Sequence, residues 1–165
     1  MLYAKLISTG QPLIGDQVST AENLKISVNY LDSEGKKLDP SRLPQGTDFV
    51  AQVKVTNPGS KGIRYEEMAL TQVFPSGWEI LNTRMTNIER FADAAEPEYQ
   101  DIRDDRVYSY FDINRKTTQT YTIQLNAAYE GRYYLPTVSC EAMYDNTISA
   151  RQPGQWVEVI GNNSL

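Results

Sequence analysis

The chain has 165 residues, 40% of them hydrophobic, which suffices for the core of one domain. Its 16 basic and 21 acidic residues give a net charge of -5, so it lacks the positive field that binding to a phosphate backbone requires. It has no histidine and one cysteine, which excludes an intrachain disulfide, a cysteine-rich zinc site and histidine-dependent catalytic triads. We therefore predict a single domain over residues 1–160, without cofactor, metal or nucleic acid, and a disordered tail over residues 161–165. A non-enzymatic role is favoured, with carboxylate or lysine chemistry as the minority alternative.

The N-terminal end shows no targeting or membrane segment. No run approaches the roughly 18 apolar residues of a membrane-spanning helix, and residues 1–14 lack a sustained apolar core ending at a cleavage site. We expect the secretion signal of an exported parent protein to lie upstream of this chain.

Most of the sequence alternates apolar and polar residues with a period of two, and this pattern predicts β-strands. Gly, Pro, Asn or Asp interrupt the alternation every ten to twenty residues, as expected for turns. We predict about nine strands, at residues 24–30, 49–55, 68–74, 78–85, 107–113, 121–127, 132–135 and 156–160 and around Cys140.

Two turns and one long loop connect these strands. Asn114 to Thr117 is predicted to form a hairpin turn, and Glu130-Gly131 supplies the positive φ of another tight turn. The alternation fails from Thr86 to Asp105, where we predict a long loop containing a short helix at Ile88 to Ala94.

Strands with one apolar face each must cover that face with another sheet. This predicts two packed antiparallel sheets, an all-β sandwich, with a closed barrel as the alternative. The predicted core residues are Phe49, Val53, Phe111, Ile123 and Leu125.

A charged run contains Arg103, Asp104, Asp105 and Arg106, with Asp101 just before it. Arginine–carboxylate pairs are directional, so these residues are candidates for structural ion pairs that hold the long loop to the sheet. A solvated charge run is the alternative. Calcium binding is disfavoured, because the run lacks the glycine and the downstream bidentate glutamate of a dedicated calcium loop.

Two further functions remain open from the residues alone. Tyr108 and Tyr110 share one strand face and suggest an aromatic platform for sugar rings, as in a carbohydrate-binding or adhesin-type sandwich. Strands favour tyrosine in any case. Glu141 with Glu79 or Asp145 would suit glycosidic hydrolysis, yet 21 carboxylates offer many such pairs by chance.

Four segments together carry a resemblance to a known family: FPSGWEI at 74–80, DIRDDRV at 101–107, AYEGRYYLP at 128–136 and VSCEAMYD at 138–145. In this order and at these separations they resemble the C-terminal macroglobulin-like (MG10-type) domain of bacterial alpha-2-macroglobulins, most strongly from about Gln45 to Val159. The resemblance implies a macroglobulin or immunoglobulin-like sandwich within a broad protease inhibitor of the periplasm or cell envelope. Its partners would be other domains of the parent chain and, through the parent, target proteases.

The reactive element of that family is a thioester between a cysteine and a glutamine three positions later, carried on a helical domain. Cys140 is followed three positions later by Met143, so this thioester is not in the chain. In the bacterial relatives a loop of the C-terminal domain covers the thioester of a neighbouring domain. The matching Glu-Ala-Met-Tyr segment assigns this cover to Met143 and Tyr144, with Glu141 beside them as an interdomain contact. The alternative is that Met143 and Tyr144 end a strand and pack under the following loop.

Overall fold

A computed structural model of the chain describes residues 18–81 and 94–161, with the isolated positions 5, 7, 10 and 13. The helix predicted at 88–94 lies outside these residues except for Ala94, as do the end of the strand predicted at 78–85 and the tail after Gly161. All regular elements within the described residues are β-strands, and none of these residues forms a helix able to cross a membrane.

Within the described residues fourteen strands follow one another along the chain. They are β1 (Thr20–Glu22), β2 (Lys25–Leu31), β3 (Lys37–Leu38), β4 (Arg42–Pro44), β5 (Asp48–Thr56), β6 (Tyr65–Val73), β7 (Trp78–Ile80), β8 (Tyr99–Ile102), β9 (Arg106–Ile113), β10 (Thr118–Ala127), β11 (Gly131–Leu135), β12 (Val138–Ala142), β13 (Asp145–Gln152) and β14 (Gln155–Ile160).

The strands form three sheets. A six-stranded sheet has the order β1-β13-β12-β6-β9-β8, a five-stranded sheet the order β3-β2-β5-β10-β7, and a small sheet the order β11-β14-β4. The pairs are antiparallel apart from β14 with β4, which is parallel. The predicted antiparallel β-sandwich is therefore confirmed.

The core lies between the sheets and follows the period of two. Every second residue of β9, from Val107 to Ile113, is buried, and the same holds for β10 from Tyr121 to Ala127. The five predicted core residues, Phe49, Val53, Phe111, Ile123 and Leu125, are all buried, with at most 3% of their surface exposed. Their predicted burial is therefore confirmed. It could be predicted because alternation along a strand shows which face is apolar.

The predicted hairpin at Asn114 to Thr117 is wrong, although the turn itself is present. The Thr117 N–H and hydroxyl both donate to the Asn114 carbonyl oxygen, at 3.3 and 2.7 Å. However, β9 pairs with β6 and β8, whereas β10 pairs with β5 and β7. The turn thus carries the chain from one sheet to the other, and Phe111 and Tyr121 meet across the core at 4.7 Å between ring centroids.

The predicted number of strands is too low. Five of the described strands were not predicted. β1, β3, β4 and β8 have only two to four residues each, too few to show alternation, and each lies at the edge of its sheet. β13 has eight residues but only two of them, Ile148 and Ala150, are buried. β8 also falls inside the long loop predicted from Thr86 to Asp105. Pairing with β9 makes it a strand, and this pairing is not visible in the local sequence.

Candidate functional site

The turn between β12 and β13 presents two apolar side chains to solvent. Ala142 pairs with Asp145, so Met143 and Tyr144 form a two-residue turn, called the tip below. Met143 is 49% exposed and Tyr144 84% exposed, whereas Cys140, on the same hairpin, is fully buried. Large apolar side chains exposed together on a well-packed hairpin are typical of a contact surface.

An irregular segment of β13 adjoins the tip on one side. Glu141 pairs with Ser149 and Ala142 with Asp145, so residues 146–148 of β13 have no counterpart on β12. The Asp145 carboxylate shapes this bulge by accepting hydrogen bonds from the Thr147 N–H at 3.0 Å and from its hydroxyl at 2.6 Å. Lys61 Nζ donates to the other Asp145 oxygen at 2.6 Å and also contacts the Thr147 hydroxyl.

A second bulge adjoins the tip on the opposite side, in β6. Tyr65 pairs with Ile113 and Met68 with Phe111, which leaves one extra residue on β6. Glu67 lies in this bulge with a φ of 52°, a backbone conformation that a residue with a side chain seldom adopts. Its carbonyl oxygen accepts a hydrogen bond from the Met143 N–H at 2.9 Å.

Comparison with known proteins shows the family of the chain. A sequence profile described as the bacterial alpha-2-macroglobulin MG10 domain matches residues 24–146, more than half of the chain. The chain belongs to this family. It is 26% identical over 147 residues to an alpha-2-macroglobulin of Rickettsia conorii, an alignment that covers 87% of this chain and 8% of that protein.

Two solved structures show the same fold as this MG10 domain. Native alpha-2-macroglobulin from Escherichia coli, from domain MG7 to the C-terminus, matches with a TM-score of 0.80 at 18% identity, over 91% of this chain and 25% of that one. Salmonella alpha-2-macroglobulin reacted with methylamine matches with a TM-score of 0.76 at 19% identity, over 87% of this chain and 10% of that one. The MG10 domain therefore corresponds to a small part of each of these relatives.

Glu141 and Cys140 of the MG10 domain point to opposite sides of β12. Glu141, three residues before Tyr144, is exposed and pairs with Ala69 of β6. Cys140 is buried and unpaired with any other cysteine, and burial raises the pKa of its thiol. A thiol kept protonated inside a core is a small hydrophobic group rather than a nucleophile.

The charged run of the MG10 domain lies at the turn between β8 and β9. Arg103 Nε donates to Asp101 at 3.0 Å, and Arg106 makes two bonds to Asp105 at 2.7 and 2.6 Å. Asp104 is exposed. Both pairs join residues one or two positions apart, so they lie within the turn itself, and exposed pairs of this kind add little to stability. No three metal-ligating side chains come together anywhere in the part of the chain that the structure describes.

The structure places Glu141 and Glu79 in different sheets, and it engages Asp145, the other carboxylate considered for glycosidic hydrolysis, in a structural ion pair. Glu141 is on β12 of the six-stranded sheet, whereas Glu79 is on β7 of the five-stranded sheet and accepts a hydrogen bond from the Tyr129 hydroxyl at 2.7 Å. Asp145 is occupied by Lys61 and Thr147. Glu79 and Asp145 thus each have structural partners of their own.

The tyrosines considered for sugar binding lie on the outer face of β9. Tyr108 and Tyr110 are half-buried, and Tyr110 packs beside the exposed Tyr99 at 5.8 Å between ring centroids. Trp78, in contrast, is buried and meets the Phe49 ring edge to face at 4.9 Å. Among the described residues, the outer face of β9 thus carries Tyr108 and the Tyr110 ring, which pairs with Tyr99 of β8. Trp78 belongs to the core.

Four residues around the tip were not predicted from the sequence: Lys61, Arg64, Glu67 and Asp112. Lys61 and Asp145 are 84 positions apart, and Arg64 and Asp112 are 48 apart. No local pattern marks them, since a bulge becomes visible only when two strands are placed side by side.

The pKa of Asp145 provides a test of the bulge in β13. Hydrogen bonds from the Lys61 ammonium and then from Thr147 lower the pKa of this carboxyl from its usual 3.8 to about 2. Because the pKa is lower in the folded state, the interaction stabilises the fold fully above about pH 4 and is lost as the pH falls through about 2. We expect carbon NMR to show Asp145 ionised at about pH 3, and Lys61→Ala to shift its midpoint up towards 3.8. A midpoint near 3.8 in the unmodified chain would contradict this geometry.

Proposed function

We propose that this MG10 domain is part of a larger bacterial alpha-2-macroglobulin that traps proteases in the periplasm or cell envelope. Within that parent, the Met143–Tyr144 tip covers the thioester of a neighbouring helical domain. Family membership and the small share of each relative that the chain spans support a multidomain parent. The observation that supports the cover is the exposure of the tip: Tyr144 is 84% and Met143 49% exposed, whereas the apolar residues in the two strands of the hairpin are buried.

The chemistry of the tip suits a cover. A thioester hydrolyses when water reaches its carbonyl carbon, so it survives in water only beneath an apolar surface. Met143 supplies a flexible thioether that adapts to an irregular surface, and Tyr144 supplies a broad ring with a hydroxyl for the wet rim. A turn held by two flanking strands presents both groups without the entropy cost of ordering a loose loop.

The MG10 domain on its own contains no trapping chemistry. Its single thiol, Cys140, is buried, and Met143 stands where the family's thioester would need a glutamine. We expect the 165-residue chain to leave the activity of a serine protease on a protein substrate unchanged, and the parent protein to reduce it. The measurement is cleavage of a large protein substrate at increasing molar ratios of chain to protease. Stoichiometric inhibition by the chain alone would overturn the proposal that trapping requires the other domains of the parent protein.

The cover itself is tested in the intact parent protein before any protease is added. The quantity measured is the rate at which a free thiol appears, compared between the wild type and variants of Tyr144. A Tyr144→Ala protein that keeps its thioester as long as the wild type would show that the tip is ordinary interdomain packing.

A further inference from the structure

We propose that the loop between β5 and β6, residues 57–64, is a positioning element that sets the direction of the Met143–Tyr144 tip. It acts by holding the two bulges between which the tip lies. The inference rests on the proposed function, since it states how the cover is kept in place.

The two bulges flank the end of β12 on both sides. β12 lies between β13 and β6 in the six-stranded sheet. Its pairing with β13 shifts register between Glu141 and Ala142, whereas its pairing with β6 is regular and β6 itself shifts register against β9, beside the same end of β12. Bulges bend a strand and redirect its side chains, and they are common beside functional sites. Two of them beside one two-residue turn indicate that the turn's direction is specified rather than incidental.

The bulge in β6 is held by a carboxylate. Glu67 keeps its positive φ only because the surrounding structure holds it there. Its N–H donates to Asp112 Oδ1 at 2.9 Å, and Asp112 is in turn paired with Arg64. In this conformation the Glu67 carbonyl oxygen meets the Met143 N–H. The chain of contacts therefore runs from Arg64 through Asp112 and Glu67 to the first residue of the tip.

The bulge in β13, on the other side of β12, is held in a similar way by a carboxylate and a cation. Asp145 follows Tyr144 directly, and its carboxylate binds Thr147 within the bulge. Lys61 pairs with this carboxylate at 2.6 Å, and the side chains are only 29% and 39% exposed. The second end of the tip is thus fixed through Lys61.

Both cations come from the same short loop, and that loop is held by hydrogen bonds of its own. Asn57 is fully buried; its amide donates to the Ile63 carbonyl oxygen at 3.0 Å and its side-chain oxygen accepts from the Gly59 N–H at 2.8 Å. A loop braced in this way places Lys61 and Arg64 at fixed positions. One element therefore determines the position of both ends of the tip, which keeps the cover preorganised.

A matched pair of substitutions at Glu67 tests the inference in the intact parent protein. Glu67→Gly and Glu67→Val both remove the carboxylate side chain, but glycine accepts a positive φ whereas valine strongly disfavours it. Hydrogen exchange is followed by mass spectrometry on the peptide containing the Met143 N–H, and thiol release is followed in parallel. We expect Val at this position to speed exchange at the tip by at least about tenfold and to raise thiol release, and Gly to leave both near wild type.

Two controls keep the result interpretable. Exchange in β10 should stay unchanged, which shows that the sandwich remains folded, and Asp112→Ala should reproduce the effect of Glu67→Val with Glu67 intact. Equal exchange in the Gly and Val proteins would overturn the positioning role. A second outcome would also overturn the positioning role: Glu67→Val speeds exchange but not thiol release, although Tyr144→Ala does raise thiol release. That outcome would leave the cover proposal standing. If Tyr144→Ala itself has no effect, the cover proposal fails and the positioning role fails with it.

Discussion

Replacing Tyr144 by alanine in a parent that carries the thioester is expected to raise the rate of spontaneous thiol release by about tenfold to a hundredfold. Complete burial of a large apolar side chain is worth roughly 1.5–3 kcal/mol, and each 1.4 kcal/mol corresponds to a factor of about ten. Loss of the ring therefore raises the ratio of uncovered to covered thioester by about tenfold to a hundredfold. Met143→Ala should act in the same direction but more weakly, because a flexible thioether excludes water from less area than a ring.

Two further variants isolate the cause of this effect. Tyr144→Phe keeps the ring and should keep the wild-type rate of release, since the covering area is unchanged. Tyr129 is a 54% exposed tyrosine outside the tip, and Tyr129→Ala should leave the thioester intact. Titration of free thiol over time in uncleaved protein measures all four variants. Equal rates for Tyr144→Ala and Tyr129→Ala would show that the tip has no covering role.

Phe111→Ala is expected to lower the free energy of unfolding by about 3–5 kcal/mol. Phe111 is 3% exposed and packs against Tyr121 at 4.7 Å, so its removal leaves a cavity between the two sheets. A domain of this size is typically stable by about 5–15 kcal/mol, so the loss is a large fraction of the total. Urea denaturation of the 165-residue chain, followed by tryptophan fluorescence, measures it.

Tyr144→Ala serves as the matched control for that measurement. Its side chain is exposed, and substitutions at exposed positions usually change stability by less than about 0.5 kcal/mol. The contrast separates the two roles, because Phe111 stabilises the sandwich and Tyr144 is available for contact. Comparable losses of stability for the two variants would mean that the tip is part of the core.

The direction of the tip depends on contacts that are distant in sequence. Lys61 reaches Asp145 across 84 positions, and Arg64 reaches Asp112 across 48. In the sequence, Met143 and Tyr144 are marked by a family resemblance, which indicates the residues at the turn but not those that hold it. Their exposure, the two bulges and the positive φ of Glu67 emerge only from the paired strands.

The sequence by itself determined the fold class and the buried faces, because side chains on a strand alternate between two sides and the apolar residues report which side is covered. Phe49, Val53 and Leu125 were correctly placed in the core for this reason. Only the tertiary structure decided which strands pair. The turn at Asn114 to Thr117 crosses between sheets, and β8 is a strand only because β9 lies beside it. Alternation specifies a face for each strand but no partner, and hydrogen bonding between strands depends on the position of the whole chain.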